Sequence, residues 1–242
     1  MNEGLRIGTD MTPGELVKTV AQVMGLPEAT IVVHDRNLVV AGLRSKHGRG
    51  RGAAQVTARD AANLLTAILA SGQVKDSVQS VARYGETRPL RRASSKALFR
   101  DIGIAELAAL PGSHSFIDAL EGMLRAAATG SLAKFLDAEA KTVRGRCLDV
   151  APLIEVAAGT PGTVGDIRIA GVKSGVTAAV RYALPNPWDR AGAKTPSAAA
   201  IEAWEKRIKQ HRADTDLEQY RRISARTIVQ VAEALATGRE EK

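Results

Sequence analysis

The sequence predicts a mainly α-helical protein with a small antiparallel β-sheet, which is an α+β fold. Ala, Val and Leu supply most of the 45% hydrophobic content and aromatic residues only 3%, a composition typical of alanine-rich helices. Apolar residues recur at helical spacing in separate segments between residues 12 and 84, with a basic loop among them. From Leu153 onward, short β-type segments separated by Gly and Pro predict strands. We therefore expect helices first and a sheet in the C-terminal half.

The first helix begins at a strong capping signal. Thr12 is a good N-cap, Pro13 suits the first helical position, and Glu15 stands three residues after Thr12, as a capping box requires. Apolar residues on one helical face follow, and Gly25 is a typical end.

The next segment, residues 28–41, admits two interpretations. The Pro27-Glu28 start and the Gly42 stop bracket a short helix. The β-branched runs on either side of residues 34–37 are equally compatible with a hairpin, which local propensity favours. We predict the helix and keep the hairpin as the alternative.

Further elements follow from the same signals. We expect a short strand at Gln55-Val56, a helix that starts at the weaker capping pair Thr57 and Asp60, and a helix from Val74 to Tyr84. In the second half, the predicted helices are Ser115 to Ala128, Ser131 to Val143, Ala198 to Arg212 and Leu217 to Ala236. The predicted strands are Leu153 to Val156, Gly165 to Ile169 and Val176 to Leu184.

Charge points to an anionic partner. The net charge of +8 and the pI of about 9.9 favour nucleic acid, although charge alone does not separate DNA from RNA or anionic lipid. Arginines and a lysine alternate with glycines from Arg44 to Gly52, a stretch that we call the basic wing. No acidic residue lies between Arg36 and Arg59. The wing's glycines allow close approach to a phosphate backbone, and the alternative is a merely solubilising loop.

These residues predict a DNA-binding constellation. Gly25 to Pro27 would be the turn of a two-helix unit whose second helix enters the major groove. Arg36 and Asn37 are the candidate base-reading residues, because Arg pairs with guanine and Asn with adenine. The alternative for both is a polar helix face or a hairpin turn. The candidate phosphate contacts are the basic residues Arg44, Lys46, Arg49, Arg51 and Arg59.

This region resembles the DNA-binding domain of MerR-like winged helix-turn-helix regulators. In that family a second helix ends in a short Gly-Leu step, a basic wing follows, and an acid-containing helix start comes next. The corresponding residues are Ala41-Gly42-Leu43, Arg44 to Gly52, and Thr57 to Asp60. The resemblance covers only the N-terminal part. It implies a winged architecture and carries no expectation of effector binding or metal sensing.

The expected organisation has three parts. Residues 1–86 form a winged helix-turn-helix DNA-binding domain, residues 87–112 a basic linker, and residues 113–242 an α+β domain for self-association or partner binding. The linker is either a solvated connection or a second polyanion contact. A further basic stretch, Tyr220 to Thr227, is read as an exposed helix start with internal ion pairs, with phosphate binding as the alternative.

Signals of catalysis are poor. The sequence has no Walker-type loop, no Gly-x-Ser-x-Gly elbow and no helical metal-ligand pair, so we predict no enzyme, no cofactor and no metal. The glycine-rich stretch Gly159 to Gly165 is read as a hairpin loop instead of a phosphate cradle. The single cysteine, Cys147, suits the core of a protein in a reducing compartment. Without a membrane-length apolar run or a signal-peptide pattern, we expect a cytoplasmic protein.

The predicted function is sequence-specific binding of double-stranded DNA by a homodimeric transcriptional regulator. The alternative is an oligomeric DNA-recognition subunit of a viral or prophage genome-packaging machine. Engagement of all six basic residues from Arg36 to Arg59 would give a log affinity that falls with log salt at a slope of about 5.

Overall fold

The structure is a computed structural model that describes residues 11–45, 55–90, 99–140, 153–171, 175, 177–188, 195–211 and 218–237. Its helices are α1 (Pro13–Met24), α2 (Glu28–Val40), α3 (Ala58–Ala70), α4 (Ser77–Glu86), α5 (Ala105–Ala108), α6 (Phe116–Ala128), α7 (Ser131–Ala140), α8 (Ala198–His211) and α9 (Ala225–Thr237). Its strands are β1 (Arg88–Pro89), β2 (Leu153–Thr160), β3 (Val164–Ala170), β4 (Thr177–Ala183) and β5 (Gln219–Ser224). The predicted α+β class is confirmed.

The first two helices follow the predicted signals. In α1 the Thr12 amide donates to the Glu15 carboxylate at 2.6 Å and the Glu15 amide donates back to the Thr12 hydroxyl at 3.3 Å. Gly25 ends the helix with φ 65°, a conformation that favours glycine. Residues 28–40 are the helix α2, and the hairpin alternative is wrong. Burial on one helical face outweighs the β propensity of its valines.

Helix α3 lies at the centre of the molecule. It packs against α2, α4 and α6 and against strands β2 and β5. Eleven of its 13 residues, from Asp60 to Ala70, are buried. The predicted strand at Gln55-Val56 is wrong, since these residues form no strand. The Val56 amide instead donates one hydrogen bond to the Met11 carbonyl at 3.2 Å.

The sheet is antiparallel with the strand order β1-β4-β3-β2-β5. The three predicted strands are confirmed as β2, β3 and β4, and residues 161–163 connect the first two as a hairpin. The predicted helix Leu217 to Ala236 is wrong in its first third, where β5 pairs with β2. Ile223 points to the core and Arg222 to solvent, which is strand alternation.

The core is continuous across the predicted parts of the chain. One hydrophobic cluster of described residues runs from Met11 to Leu235. α9 packs against both α1 and α6, and α6 packs against α3. The stretch predicted as a basic linker supplies β1 and α5, together with the buried side chains Phe99, Ile102, Ile104 and Leu107. The boundaries expected at residues 86 and 113 therefore do not coincide with a break in the core.

Candidate nucleic-acid interface

Helices α1 and α2 are joined by a tight turn. Gly25 reverses the chain, and the Leu26 amide donates to the Ala21 carbonyl at 3.0 Å. α2 buries Ile31, His34 and Leu38 against the body of the protein. Its opposite face is exposed to solvent and carries three valines and one arginine, namely Val32, Val33, Arg36 and Val40. We call this the outer face of α2.

The two candidate base-reading residues point in different directions. Arg36 is exposed on the outer face of α2. Asn37 is half-buried, and its side-chain amide donates to the Val74 carbonyl at 3.0 Å, in the turn that precedes α4. Asn37 thus fixes the position of α2 against that turn, and Arg36 alone is turned toward solvent.

Arg44 lies inside the protein. Its Nε atom is 2.5 Å from Oδ1 of Asp35, and its side chain is 1% exposed. Truncating one partner of such a buried pair leaves an uncompensated charge. The pair ties the end of α2 to the beginning of the basic wing, and a phosphate could reach Arg44 only if this pair opened.

Arg59 is held between two carboxylates of α6. Nη2 is 2.5 Å from Oδ1 of Asp118, and Nε is 2.9 Å from Oε2 of Glu121. Burial alone would raise the pKa of Asp118, but hydrogen bonds from the Ser115 backbone and from Arg59 outweigh it and lower the pKa. The Arg59 charge is therefore largely matched within the chain, although its side chain is 44% exposed.

The two flanks of the basic wing meet at one carboxylate. The Ser45 amide donates to Oδ1 of Asp60 at 2.9 Å, and the Thr57 amide donates to Oδ2 of the same residue at 2.9 Å. The Asn63 side chain adds a bond to the Leu43 carbonyl at 2.6 Å. The chain therefore leaves and returns at the N-terminus of α3. The predicted contacts Lys46, Arg49 and Arg51 lie outside the described residues.

His34 supports this arrangement from beneath α2. Its Nδ1 atom is 2.8 Å from the Ser77 hydroxyl, which itself donates to the Val74 carbonyl, so Nδ1 carries the proton. Burial, with a smaller contribution from Arg221, lowers the pKa of His34 to about 4. A neutral imidazole thus joins α2 to the start of α4 at neutral pH.

The acids that partner the candidate arginines are what sequence reasoning missed. Asp35 is one turn before the end of α2, while Asp118 and Glu121 are about 60 residues away from Arg59 in the chain. The capping pair Thr57 and Asp60 was visible in the sequence, and Asp60 is the carboxylate that holds the two flanks of the basic wing. Nothing in the local sequence marks α6 as the neighbour of Arg59.

The described residues contain neither a candidate membrane span nor a candidate metal site. No helix there is long and apolar enough to cross a membrane. No group of three or more His, Cys, Asp or Glu side chains in those ranges is arranged to hold a metal ion. In the comparisons with known proteins, no family model, no curated protein and no solved structure matches this chain.

Proposed function

We propose that the protein binds double-stranded DNA through the outer face of α2 and the basic wing, and that it acts as a homodimeric, sequence-specific transcriptional regulator. The observation that carries the proposal is the pair of hydrogen bonds by which the Asp60 carboxylate accepts from the Ser45 and Thr57 amides. It holds both flanks of an acid-free basic segment at one place, directly after the helix that exposes Arg36.

The charges of this region support a polyanionic ligand. The two arginines matched by acids inside the protein, Arg44 and Arg59, contribute little to an external field. Arg36, Lys46, Arg49 and Arg51 remain, in a stretch of sequence without an acid. Four such cations within 16 residues suit consecutive phosphates of a nucleic-acid backbone.

The outer face of α2 favours a duplex over a single strand. Proteins that bind single strands stack bases on aromatic side chains. The large exposed aromatic residues of the described chain, Trp188 and Tyr220, lie outside α2. Helix α2 presents valines and Arg36, which suit thymine methyl groups and the guanine edge in a major groove.

Fluorescence anisotropy on a duplex selected from random sequences tests this function. Arg49→Ala should weaken binding to every duplex and reduce the salt slope by about 1, because it removes one phosphate contact. Arg36→Ala should cost about 1 to 3 kcal/mol on the selected duplex and relax its sequence preference. Lys134→Ala is the matched control, since it removes an exposed cation from α7.

The total salt dependence is a second, independent readout. With Arg44 and Arg59 engaged inside the chain, four cations remain, and the slope of log affinity against log salt is expected at about 3.6 instead of about 5. Binding that is insensitive to salt, or that Lys134→Ala weakens as much as Arg36→Ala does, would contradict the proposal.

A further inference from the structure

A cleft of about 550 Å³ opens where β5 runs into α9, beside the last turn of α1. Its polar lining is Glu155, Arg222, Ser224, Arg226 and Thr227, and its apolar lining is Val23, Met24, Ile154 and Ile223. None of these residues belongs to the outer face of α2 or to the basic wing. The cleft contains Arg222 and Arg226, two of the three arginines of the stretch Tyr220 to Thr227, for which phosphate binding was the alternative interpretation of the sequence.

The first turn of α9 lines this cleft, and among the described residues no side chain accepts a hydrogen bond from its amides. The hydroxyls of Thr12, Thr57 and Ser115 accept an amide hydrogen at the starts of α1, α3 and α6. Ser224 precedes α9, yet its hydroxyl makes no hydrogen bond with any residue that the structure describes. A helix start with free amides carries partial positive charge.

Thr227 is the second indication of a ligand. Its side chain lines the cleft and the residue is only 7% exposed. Within the described parts of the chain, no hydrogen bond to its hydroxyl is present. The hydroxyl oxygen itself keeps solvent access at the cleft, so it is free to bond water or a ligand there. The Thr227 hydroxyl is well placed to bond an oxyanion at the helix start.

Two arginines add positive charge to the cleft. Nη1 of Arg222 is 3.2 Å from Oε2 of Glu155, but the Arg222 side chain is 76% exposed and keeps donors for another group. Glu155 is also 4.0 Å from Arg168, so its charge is shared between two guanidinium groups. Arg226 is exposed at the helix start. The lining thus carries one net positive charge in addition to the helix dipole.

We propose that this cleft binds a phosphoryl group, either of a small organic phosphate or of a nucleic-acid backbone. The amides of the first turn of α9 and the Thr227 hydroxyl donate to its oxygens, while Arg222 and Arg226 neutralise its charge. Met24 and Ile154 offer an apolar surface to the remainder of a small ligand. The proposal does not depend on DNA binding by α2.

Titration of the full chain with inorganic phosphate tests the site directly. Chloride is adjusted to keep the ionic strength constant, and backbone amides are followed by two-dimensional NMR. Saturable shifts are expected, largest at Ala225, Arg226 and Thr227, because these amides would donate to the ligand. The absence of saturation, or shifts centred on another element, would overturn the proposal.

Variants separate a built site from general attraction of anions. Arg222→Ala and Arg226→Ala should each weaken phosphate binding about tenfold, and Thr227→Val, which keeps the shape of the side chain, about fivefold. Lys134→Ala should change the affinity for phosphate less than twofold. Unchanged core resonances establish that each variant is folded. Equal affinity of all variants would overturn the proposal.

A duplex of about 20 base pairs distinguishes the two sources of the phosphoryl group. If the source is a nucleic-acid backbone, Arg226→Ala weakens duplex binding and phosphate competes with the duplex. If the source is a small molecule, Arg226→Ala lowers phosphate affinity and leaves duplex affinity unchanged. Arg36→Ala should leave phosphate binding unaltered in both cases, because Arg36 does not line the cleft. The DNA-binding proposal can therefore fail without affecting the result for the phosphate site.

Discussion

At the scale of single residues, buried polar contacts hold the second helix in place. His34 bonds Ser77, Asn37 bonds the Val74 carbonyl, and Arg44 pairs with Asp35. Each contact joins α2 to a segment elsewhere in the chain. The position of Arg36 on the surface depends on all three, since together they decide which face of α2 remains exposed.

His34 makes stability depend on pH. An unfolded chain protonates this residue near pH 6.5, whereas the folded chain does so only near its lowered pKa of about 4. The free energy of unfolding is therefore highest above pH 6.5 and falls as the pH is lowered from 6.5 to 4. We expect His34 to account for up to about 2 kcal/mol of this decrease in the free energy of unfolding, a figure that allows for solvent screening.

Urea unfolding at several pH values measures this effect. His34→Asn keeps a donor for Ser77 and removes the titrating group, so the variant should show a smaller decrease in the free energy of unfolding between pH 6.5 and 4.5. His114, which is also buried with a lowered pKa, remains in both proteins as an internal reference. Identical pH profiles for the two proteins would contradict the expectation.

At the scale of elements, the ends of helices determine how the candidate interface is built. A left-handed glycine ends α1 and sets the turn to α2, and a capping box starts α3 where the basic wing returns. Beside the last turn of α1, β5 passes directly into α9, and that helix start lines the cleft proposed for a phosphoryl group.

Gly25→Ala tests the turn between α1 and α2. The substitution places a side chain at φ 65° and should lower the free energy of unfolding by about 1 kcal/mol, as measured by urea unfolding. Gly14→Ala is the matched control. Gly14 lies in the first turn of α1 with open space around it, and alanine there should be neutral or stabilising. Equal destabilisation by both changes would contradict the role of Gly25.

At the scale of the whole molecule, one face of the sheet packs on the helices through aromatic rings. Phe116 of α6 contacts Tyr84 and Tyr182 edge-to-face, with centroids 5.1 Å and 5.7 Å away. The Tyr84 hydroxyl oxygen lies 2.8 Å from each of two sheet carbonyl oxygens, those of Gly159 and Val164, and its one proton is available to either. Because the shared core runs through these contacts, the helices and the sheet should unfold together.

Gly165→Ala should weaken that junction. A methyl group at this position would meet the Phe116 ring at 2.5 Å, and the ring has little room to move between two tyrosines. We expect a loss of about 2 to 3 kcal/mol and one calorimetric transition at a lower temperature. Gly162→Ala, in the same hairpin with open space around it, is the control. Two separate transitions, or an unchanged transition temperature, would contradict a single core.

The sequence by itself determined the local features of this protein. Capping boxes at Thr12 and Thr57, the glycine at the end of α1 and the β-type runs of β2 to β4 between Gly and Pro turns are encoded within a few residues, so spacing and propensity predict them. The local sequence of segment 28–40 is compatible with both a helix and a hairpin. The helix forms because it buries Ile31 and Leu38 on one face. Residues 219–224 form a strand only because β2 offers them an edge.

Only the tertiary structure decided which charged side chains face solvent. The sequence does not distinguish Arg44 and Arg59 from Arg36. The fold brings Asp35 to Arg44, and Asp118 and Glu121 to Arg59, and it leaves Arg36 exposed. It also brought the end of α1 to the start of α9, about 200 residues later. Burial and charge pairing depend on contacts between distant parts of the chain, and local spacing carries no information about them.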